Sequence, residues 1–248
     1  EVGGSTAHTA IIARSLGLPA VVGLRGICDA IHTGDALLID GYNGLLIINP
    51  TPETLAEYDV LADEKNTAAK RLEEIRDSKP ETSDGREITL SANIEFEHEG
   101  SIAKGNGAQG IGLYRTEFFY MHDGNMPSEE HQVENYSRVA RGIAPDGVII
   151  RTVDIGGDKL PDGLAEPEAN PFLGWRGVRL TLARTEMFKT QIRAILRAGA
   201  AGDVSVMFPM LSTLDEVQTC RRLLEECAEE LERDGVEHSR RIDIGRHN

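Results

Sequence analysis

After Pro80 the sequence alternates four times between a short aliphatic run and a longer segment of helical period. Residues 87–92, 110–115, 148–153 and 204–209 read as strands, residues 97–104, 128–142, 186–198 and 214–233 read as helices, and residues 242–245 open a fifth strand. Parallel neighbours need a long crossover between strands, whereas antiparallel ones need only a tight turn, so this rhythm predicts an α/β fold with a parallel sheet. A (β/α)8 barrel is the leading architecture. With four repeats and the start of a fifth, the chain would hold its first half.

The segment before Pro50 has another character. Residues 10–16 read as a short helix closed by Gly17 and Pro19, and residues 19–23 as a strand. Residues 35–40 form a second strand, turned at 41–44 onto a hairpin partner at 45–48 that Asn49 and Pro50 stop. Residues 51–79 are different again. Thr51 caps a helix with Pro52 at its first position, and charged residues alternate with Leu55, Leu61, Leu72 and Ile75. A helix polar on most faces suits a connector between domains. The expected division is therefore a domain over 1–50, a helical linker over 51–80 and a second domain over 81–248. There is no initiator Met, and Glu1-Val2-Gly3-Gly4 reads like the interior of a longer chain.

Charge excludes some functions. Lys and Arg number 26 against 41 Asp and Glu, a net charge of −15. Nucleic-acid binding rests on a basic footprint, which this balance opposes. An anionic substrate would have to be met by arginines clustered locally. The three cysteines, Cys28, Cys220 and Cys227, form no CxxC pair and no metal-like spacing, so a disulfide framework is not expected and a reducing cytoplasm is favoured. No apolar run approaches the length needed for membrane insertion.

The chemistry begins at residues 3–14, GGSTAHTAIIAR. Paired glycines let a turn approach a ligand closely. Ser5 or Thr6 can cap the helix that follows, and His8 falls in its first turn, where unpaired N–H groups and the helix dipole favour an anion. An unprotonated imidazole is a good nucleophile near neutral pH, and a phosphate carried on it would be stabilised by the same geometry. A lone histidine near a helix start is more often merely polar. The whole string decides otherwise. It resembles the phosphohistidine signature GG-x-T-[S/C]-H-x-A-I-x-A-R, and Leu16-Gly17-Leu18-Pro19-Ala20-Val21-Val22-Gly23 resembles its sequel. That signature is shared by Enzyme I of the bacterial sugar phosphotransferase system, phosphoenolpyruvate synthase and pyruvate phosphate dikinase. Ala7 departs from the usual Ser or Cys.

Later motifs separate these relatives. Residues 110–118 (GIGLYRTEF) resemble the second barrel strand of Enzyme I, and 151–159 (RTVDIGGDK) its third; the GGDK ending is particular to that family. Residues 170–177 (NPFLGWRG) and 207–210 (MFPM) follow in the same order. The chain thus resembles the phosphoenolpyruvate-protein phosphotransferases as a part incomplete at both ends. The synthase and dikinase remain an alternative that RTVDIGGDK opposes, and a non-catalytic partner-binding piece is a second.

The resemblance implies the C-terminal part of a swivelling phosphohistidine domain, a linker helix, and the first half of a TIM-type barrel that binds phosphoenolpyruvate. It implies that His8 carries the phosphoryl group, that Arg115 and Arg151 bind phosphoenolpyruvate, and that Arg176 and, less directly, Lys159 belong to the same rim. Guanidinium forks suit phosphate and carboxylate, and strand C-termini are where such barrels hold their sites. The partners implied are phosphoenolpyruvate, a histidine-containing phosphocarrier protein and, in the intact protein, a second copy of the chain. Glu117, Asp154 and Asp158 read as arginine partners rather than a metal cluster. The family's Mg²⁺ ligands and its enolate-protonating cysteine are expected beyond Gly245, where the pattern gives way to Arg246-His247-Asn248, so the 248 residues alone are expected to be inactive. The acidic run 225–232 reads as a solvated face, and no role falls to His238 or His247.

Overall fold

The structure is a computed structural model that describes residues 10, 13, 17–121, 126–156, 174–240 and 242–245, excepting the side chains of 65, 66, 68, 69 and 121. The chain divides into two compact units, Glu1–Arg76 and Asp77–Asn248.

In the first unit, β1 (Leu37–Asp40) pairs antiparallel with β2 (Leu45–Ile48), Leu37 lying opposite Ile48 and Asp40 opposite Leu45. A short helix, α1 (Ile27–Ala30), precedes them, and α2 (Pro52–Arg76) follows. Leu55, Val60, Leu61, Leu72 and Ile75 are all exposed on α2, so these five serve no core within this unit. The hairpin turn is fastened by one carboxylate. Asp40 accepts hydrogen bonds from the Tyr42 and Asn43 backbone N–H groups at 3.0 and 3.1 Å and from Asn43 Nδ2 at 2.6 Å. It also accepts one from Tyr58 Oη of α2 at 2.9 Å.

Two expectations for this unit need correction. No strand forms over 19–23; the segment is irregular, no described strand offers it a ladder, and Gly23 has φ 77°, outside the β region. Of the helix expected over 10–16, only Ala10 and Ala13 are described, both helical.

The second unit is built on a five-stranded parallel sheet in the order β3-β4-β5-β6-β7: Ala92–Ile94, Ile111–Tyr114, Val148–Arg151, Val204–Met207 and Asp243–Ile244. Spatial order equals chain order throughout. The intervening helices are α3 (Glu99–Gly105), α4 (Phe118–Met121), α5 (Glu129–Ile143), α6 (Val178–Ala183), α7 (Thr185–Ala198) and α8 (Leu214–Arg233). Val148, Ile150, Val204 and Val206 bury themselves in one core with Val139 and Ile143 of α5, Ile192 and Ile195 of α7, and Leu223, Cys227 and Leu231 of α8. The alternate residues Ile149, Arg151, Ser205 and Met207 remain half-buried on the other face, as the two-residue period of a strand requires. Two of the longer helices start on side-chain caps. Ser128 accepts from the His131 N–H, and Thr213 and Glu216 form a reciprocal capping box on α8.

The first parallel strand is displaced from the expected 87–92. Glu87 instead bridges antiparallel to Glu81 across the Asp84-Gly85 turn, and Ile88 N–H reaches Pro80 O at 2.9 Å. Backbone bonding toward β4 begins with Gln109 N–H on Leu90 O at 2.7 Å, and the paired ladder starts at Ala92, whose N–H reaches Gly110 O at 3.0 Å. β7 pairs with Ser205 and Val206 of β6, as a fifth strand opening at 242–245 requires. Helix α6 was not legible, because Val178, Leu180 and Leu182 alternate as a strand would while the backbone is helical.

Asp40 supplies a prediction. Its Asn43 side-chain bond, aided by the backbone donors, lowers the carboxyl from 3.8 to about 2. A carboxyl depressed in the fold contributes stability that is present above its unfolded value and is lost as pH falls towards its folded value. The hairpin should therefore weaken between pH 3.8 and about 2, and Asp40→Asn should flatten that acid limb of the unfolding curve. Carbon-detected NMR titration of the Asp40 carboxyl checks the cause; a midpoint at the ordinary aspartate value would refute it.

Candidate active site at the strand C-termini

β4 and β5 are neighbours with Tyr114 opposite Ile150, and both of these side chains are buried among the helices. Alternation then sends the next residues, Arg115 and Arg151, to the other face at the C-terminal rim. The Arg115 N–H still bonds Ile94 O at 2.9 Å, so this residue continues the ladder beyond β4. Two of the arginines expected from the sequence thus stand on adjacent strand ends.

The third arrives by a separate device. Gly156 and Arg176 form an isolated antiparallel bridge. A Cβ at Gly156 would lie 2.2 Å from Arg176 Cβ and 3.1 Å from Trp175 O, so only glycine admits Arg176 there. The following Gly177, at φ 57°, packs against Met210, and Val178 N–H reaches Pro209 O at 3.2 Å. The GWRG and MFPM motifs meet at this point.

Carboxylates accompany every one of these cations. Arg115 pairs with Glu95 at 2.7 Å, both about half exposed. Arg151 Nη2 donates to Glu117 at 2.7 Å, and its Nη1 lies 3.5 Å from Asp154. Arg176 grips Asp154 with two bonds of 2.9 Å, one from Nε and one from Nη2. Glu117 also accepts the Asp154 N–H at 3.1 Å. Glu117, Arg151, Asp154 and Arg176 therefore form one continuous, charge-balanced chain. The Asp154 hydrogen bond raises the Arg176 pKa, holding the guanidinium firmly charged. Arg151 Nε is buried with no partner among the described residues, so this fork has one donor in reserve.

Beneath the rim lies a polar network that motif reading missed. Gln191 of α7, wholly buried, donates from Nε2 to Thr116 Oγ1 at 3.0 Å and to Tyr136 Oη at 3.2 Å. Its Oε1 accepts the Val153 N–H at 3.0 Å, and Thr116 Oγ1 donates to Arg151 O at 2.9 Å. A buried glutamine on a helix looks in sequence like any polar position, and no spacing signal marks it.

Other candidates fall away. Cys220 and Cys227 are buried on α8, and burial pushes both thiols up to about 12, so neither supplies a thiolate at neutral pH. Among the described residues no group of three or more His, Cys, Asp or Glu is arranged to hold a metal ion. Glu117 and Asp154 are engaged by guanidinium groups, so the described residues do not fit the Mg²⁺ that the resemblance implies. His8, Asp158, Lys159, residues 170–173 and His247 lie outside the described residues. No helix among those described is long and apolar enough to cross a membrane.

A parallel sheet with arginines gathered on its C-terminal rim is an arrangement for binding an anion. Residues 69–246 match the PEP-binding domain of the PEP-utilising enzymes, and residues 1–44 match their mobile domain. The chain belongs to the PEP-utilising enzyme family. It is 42% identical over 246 residues to the phosphoenolpyruvate-protein phosphotransferases of Staphylococcus carnosus and Staphylococcus aureus, and 44% identical to that of Staphylococcus epidermidis. Each match covers 99% of this chain and 43% of the relative, so the chain spans less than half the length of these curated relatives.

The bridge at Gly156 can be tested directly. Gly156→Ala places a methyl group 2.2 Å from Arg176 Cβ, a contact that rotamer change cannot relieve. The substitution should cost about 1–3 kcal/mol in unfolding free energy, as overpacking does. It should also shift the Arg176 side-chain NMR signals; unchanged stability and spectra would show that the bridge is dispensable.

Proposed function

We propose that this chain carries the phosphoryl acceptor and part of the substrate site of a phosphoenolpyruvate-protein phosphotransferase. The observation that carries the reading is the convergence of Arg115, Arg151 and Arg176 on one strand rim, within a match to a PEP-binding domain. In an acidic protein such a cluster has a specific purpose. Three guanidinium groups can neutralise the phosphate and carboxylate of phosphoenolpyruvate and the charge on a phosphoryl group in transfer.

His8, carried within the phosphohistidine signature, is the acceptor. Its imidazole nitrogen attacks phosphorus, the P–O bond to the enol oxygen breaks as the P–N bond forms, and the enolate gains a proton at carbon to become pyruvate. A second transfer then passes the phosphoryl group to a histidine on a small carrier protein, breaking P–N and restoring His8. Mg²⁺ would supply additional charge neutralisation during phosphoryl transfer.

One histidine serving two sites needs a moving carrier. Residues 1–50 are assigned to the C-terminal part of a swivelling domain and 51–80 to its linker. The apolar residues of α2 exposed along its length support a connecting role. Residues 81–248 are assigned to the first half of a (β/α)8 barrel. Five parallel strands following chain order without reversal support a barrel over a doubly wound sheet, which would have a switch point.

Two experiments test these assignments. Titration of this chain with phosphoenolpyruvate should give an affinity that Arg115→Ala or Arg151→Ala lowers by about 2–4 kcal/mol, with lysine rescuing only partly because it lacks the fork. Arg115 is the cleaner probe, since its partner Glu95 is itself half exposed and would return to water. Arg151→Ala must be accompanied by Glu117→Gln, which removes the carboxylate left unpaired in the rim. Affinity unchanged in both alanine variants would dismiss the arginine assignment. For His8, a version lengthened to the full extent of its relatives should take up label from phosphoenolpyruvate and Mg²⁺ in acid-labile, alkali-stable form. Equal labelling of the His8→Ala variant would dismiss the acceptor assignment.

A further inference from the structure

We propose that Gln191 is a positioning residue for the phosphoenolpyruvate site, fixing from the helical layer the backbone that presents Arg151 and Asp154. The inference rests on the substrate reading above, and concerns how that site is held rather than what it binds.

Strand β5 ends at Arg151, and beyond it the backbone is held by one further bond to β6 and by side chains. The Arg151 carbonyl accepts from Thr116 Oγ1 at 2.9 Å. The Thr152 N–H reaches Met207 O at 2.9 Å, and the Val153 N–H reaches Gln191 Oε1 at 3.0 Å. Gln191 thus acts on both sides of residue 152, directly at Val153 and through Thr116 at Arg151. Asp154, the carboxylate shared by Arg151 and Arg176, is the next residue along.

The direction of every hydrogen bond in this network is determined. The Val153 N–H can only donate, so the amide oxygen of Gln191 must face it and the amide nitrogen must face Thr116 and Tyr136. Thr116 Oγ1, accepting from Gln191, spends its one proton on the Arg151 carbonyl. Tyr136 Oη, accepting the second Gln191 proton, donates to Gln132 Oε1 at 3.1 Å, which also accepts from Tyr120 Oη at 3.3 Å. Gln132 Nε2 closes the series on Pro127 O at 3.1 Å. Gln191, Thr116 and Tyr136 are wholly buried, and Gln132 and Tyr120 nearly so. A buried network in which each of these polar atoms has a partner holds one geometry, because any displaced member would leave a polar group unpaired away from water. A glutamine serving only the core would also be satisfied, but it would not need to grip the exit of the strand that carries a ligand-binding arginine.

The test uses this chain with Gln191→Met, close in size but unable to make any of the bonds, alongside Thr116→Val and Thr116→Ser. Amide hydrogen exchange of the free protein comes first. Val153 should lose protection in Gln191→Met while Ile150, within the ladder, keeps it; retained protection at Val153 overturns the proposal. Phosphoenolpyruvate titration comes second. Gln191→Met and Thr116→Val should each weaken binding roughly tenfold, as small misplacement of a binding group does, and Thr116→Ser should bind like the parent. A purely structural glutamine would lower the melting temperature and leave affinity unchanged, and that outcome overturns the proposal. Arg115→Ala separates the two readings. If it weakens binding and Gln191→Met does not, the substrate site stands and the positioning role falls; if the parent chain binds no phosphoenolpyruvate, both fall.

Discussion

Asp154 is the residue on which the rim depends. It is nearly buried, and its one carboxylate accepts both arms of the Arg176 fork while lying 3.5 Å from Arg151. Without it two guanidinium groups would face each other in a partly desolvated setting, where like charges repel strongly. With Glu117 closing the other side of Arg151, the sum over the four residues is zero. The sheet can therefore present cations at its C-terminal edge without a standing electrostatic cost. Removing one member of such a chain is more disruptive than the loss of a surface pair, because the remaining charge stays half-buried and unmatched. The arginine–carboxylate chain and the stability of the rim are one structure.

The fold was legible wherever two local signals agreed. Helix α8 occupies the expected residues because Thr213 and Glu216 form a capping box just before an amphipathic run, fixing its start, while Gly235 lies just past its end. Strands β4, β5 and β6 were found because β-branched residues bury one face against helices. Reading failed where local pattern and tertiary pairing diverge. Residues 87–92 have strand-like composition, yet Glu87 finds its partner across the Asp84-Gly85 turn, and the paired register with β4 starts only at Ala92. Val178, Leu180 and Leu182 alternate like a strand, but Gly177 lets the chain turn sharply and the segment coils into α6.

The site divides along the same line. Arg115, Arg151 and Arg176 could be singled out from their motifs, and the fold sets Arg115 and Arg151 on adjacent strand ends and Arg176 at the Gly156 bridge. Their carboxylate partners could be guessed from proximity in sequence for Glu117 and Asp154, but not for Glu95, which reaches Arg115 from the neighbouring strand end. Gln191 could not be found at all. It lies 75 residues from Thr116 in the chain, and only the packing of α7 behind the sheet brings the two together. Motifs record residues that stand close in the chain, while the groups that hold them belong to the tertiary fold.

The three arginines also differ in what a ligand would have to displace. Arg115 and Glu95 are half exposed, so their pairing is weak and its loss returns Glu95 to water at little cost. Arg151 and Arg176 are more deeply placed, and their carboxylates cannot retreat to solvent so readily. The Arg115 pair is therefore the one most readily exchanged, whereas Arg151 keeps a buried Nε with no partner among the described residues. This division exists within a chain whose net charge is −15. Repulsion from the whole surface is long-range and screened by salt within about 8–10 Å, whereas the guanidinium contacts act at hydrogen-bond distance in a poorly solvated rim. Local geometry outweighs global charge here, and for that the arginines must be held in register. The Asp154 carboxylate and the amide of Gln191 supply that restraint from opposite sides of β5.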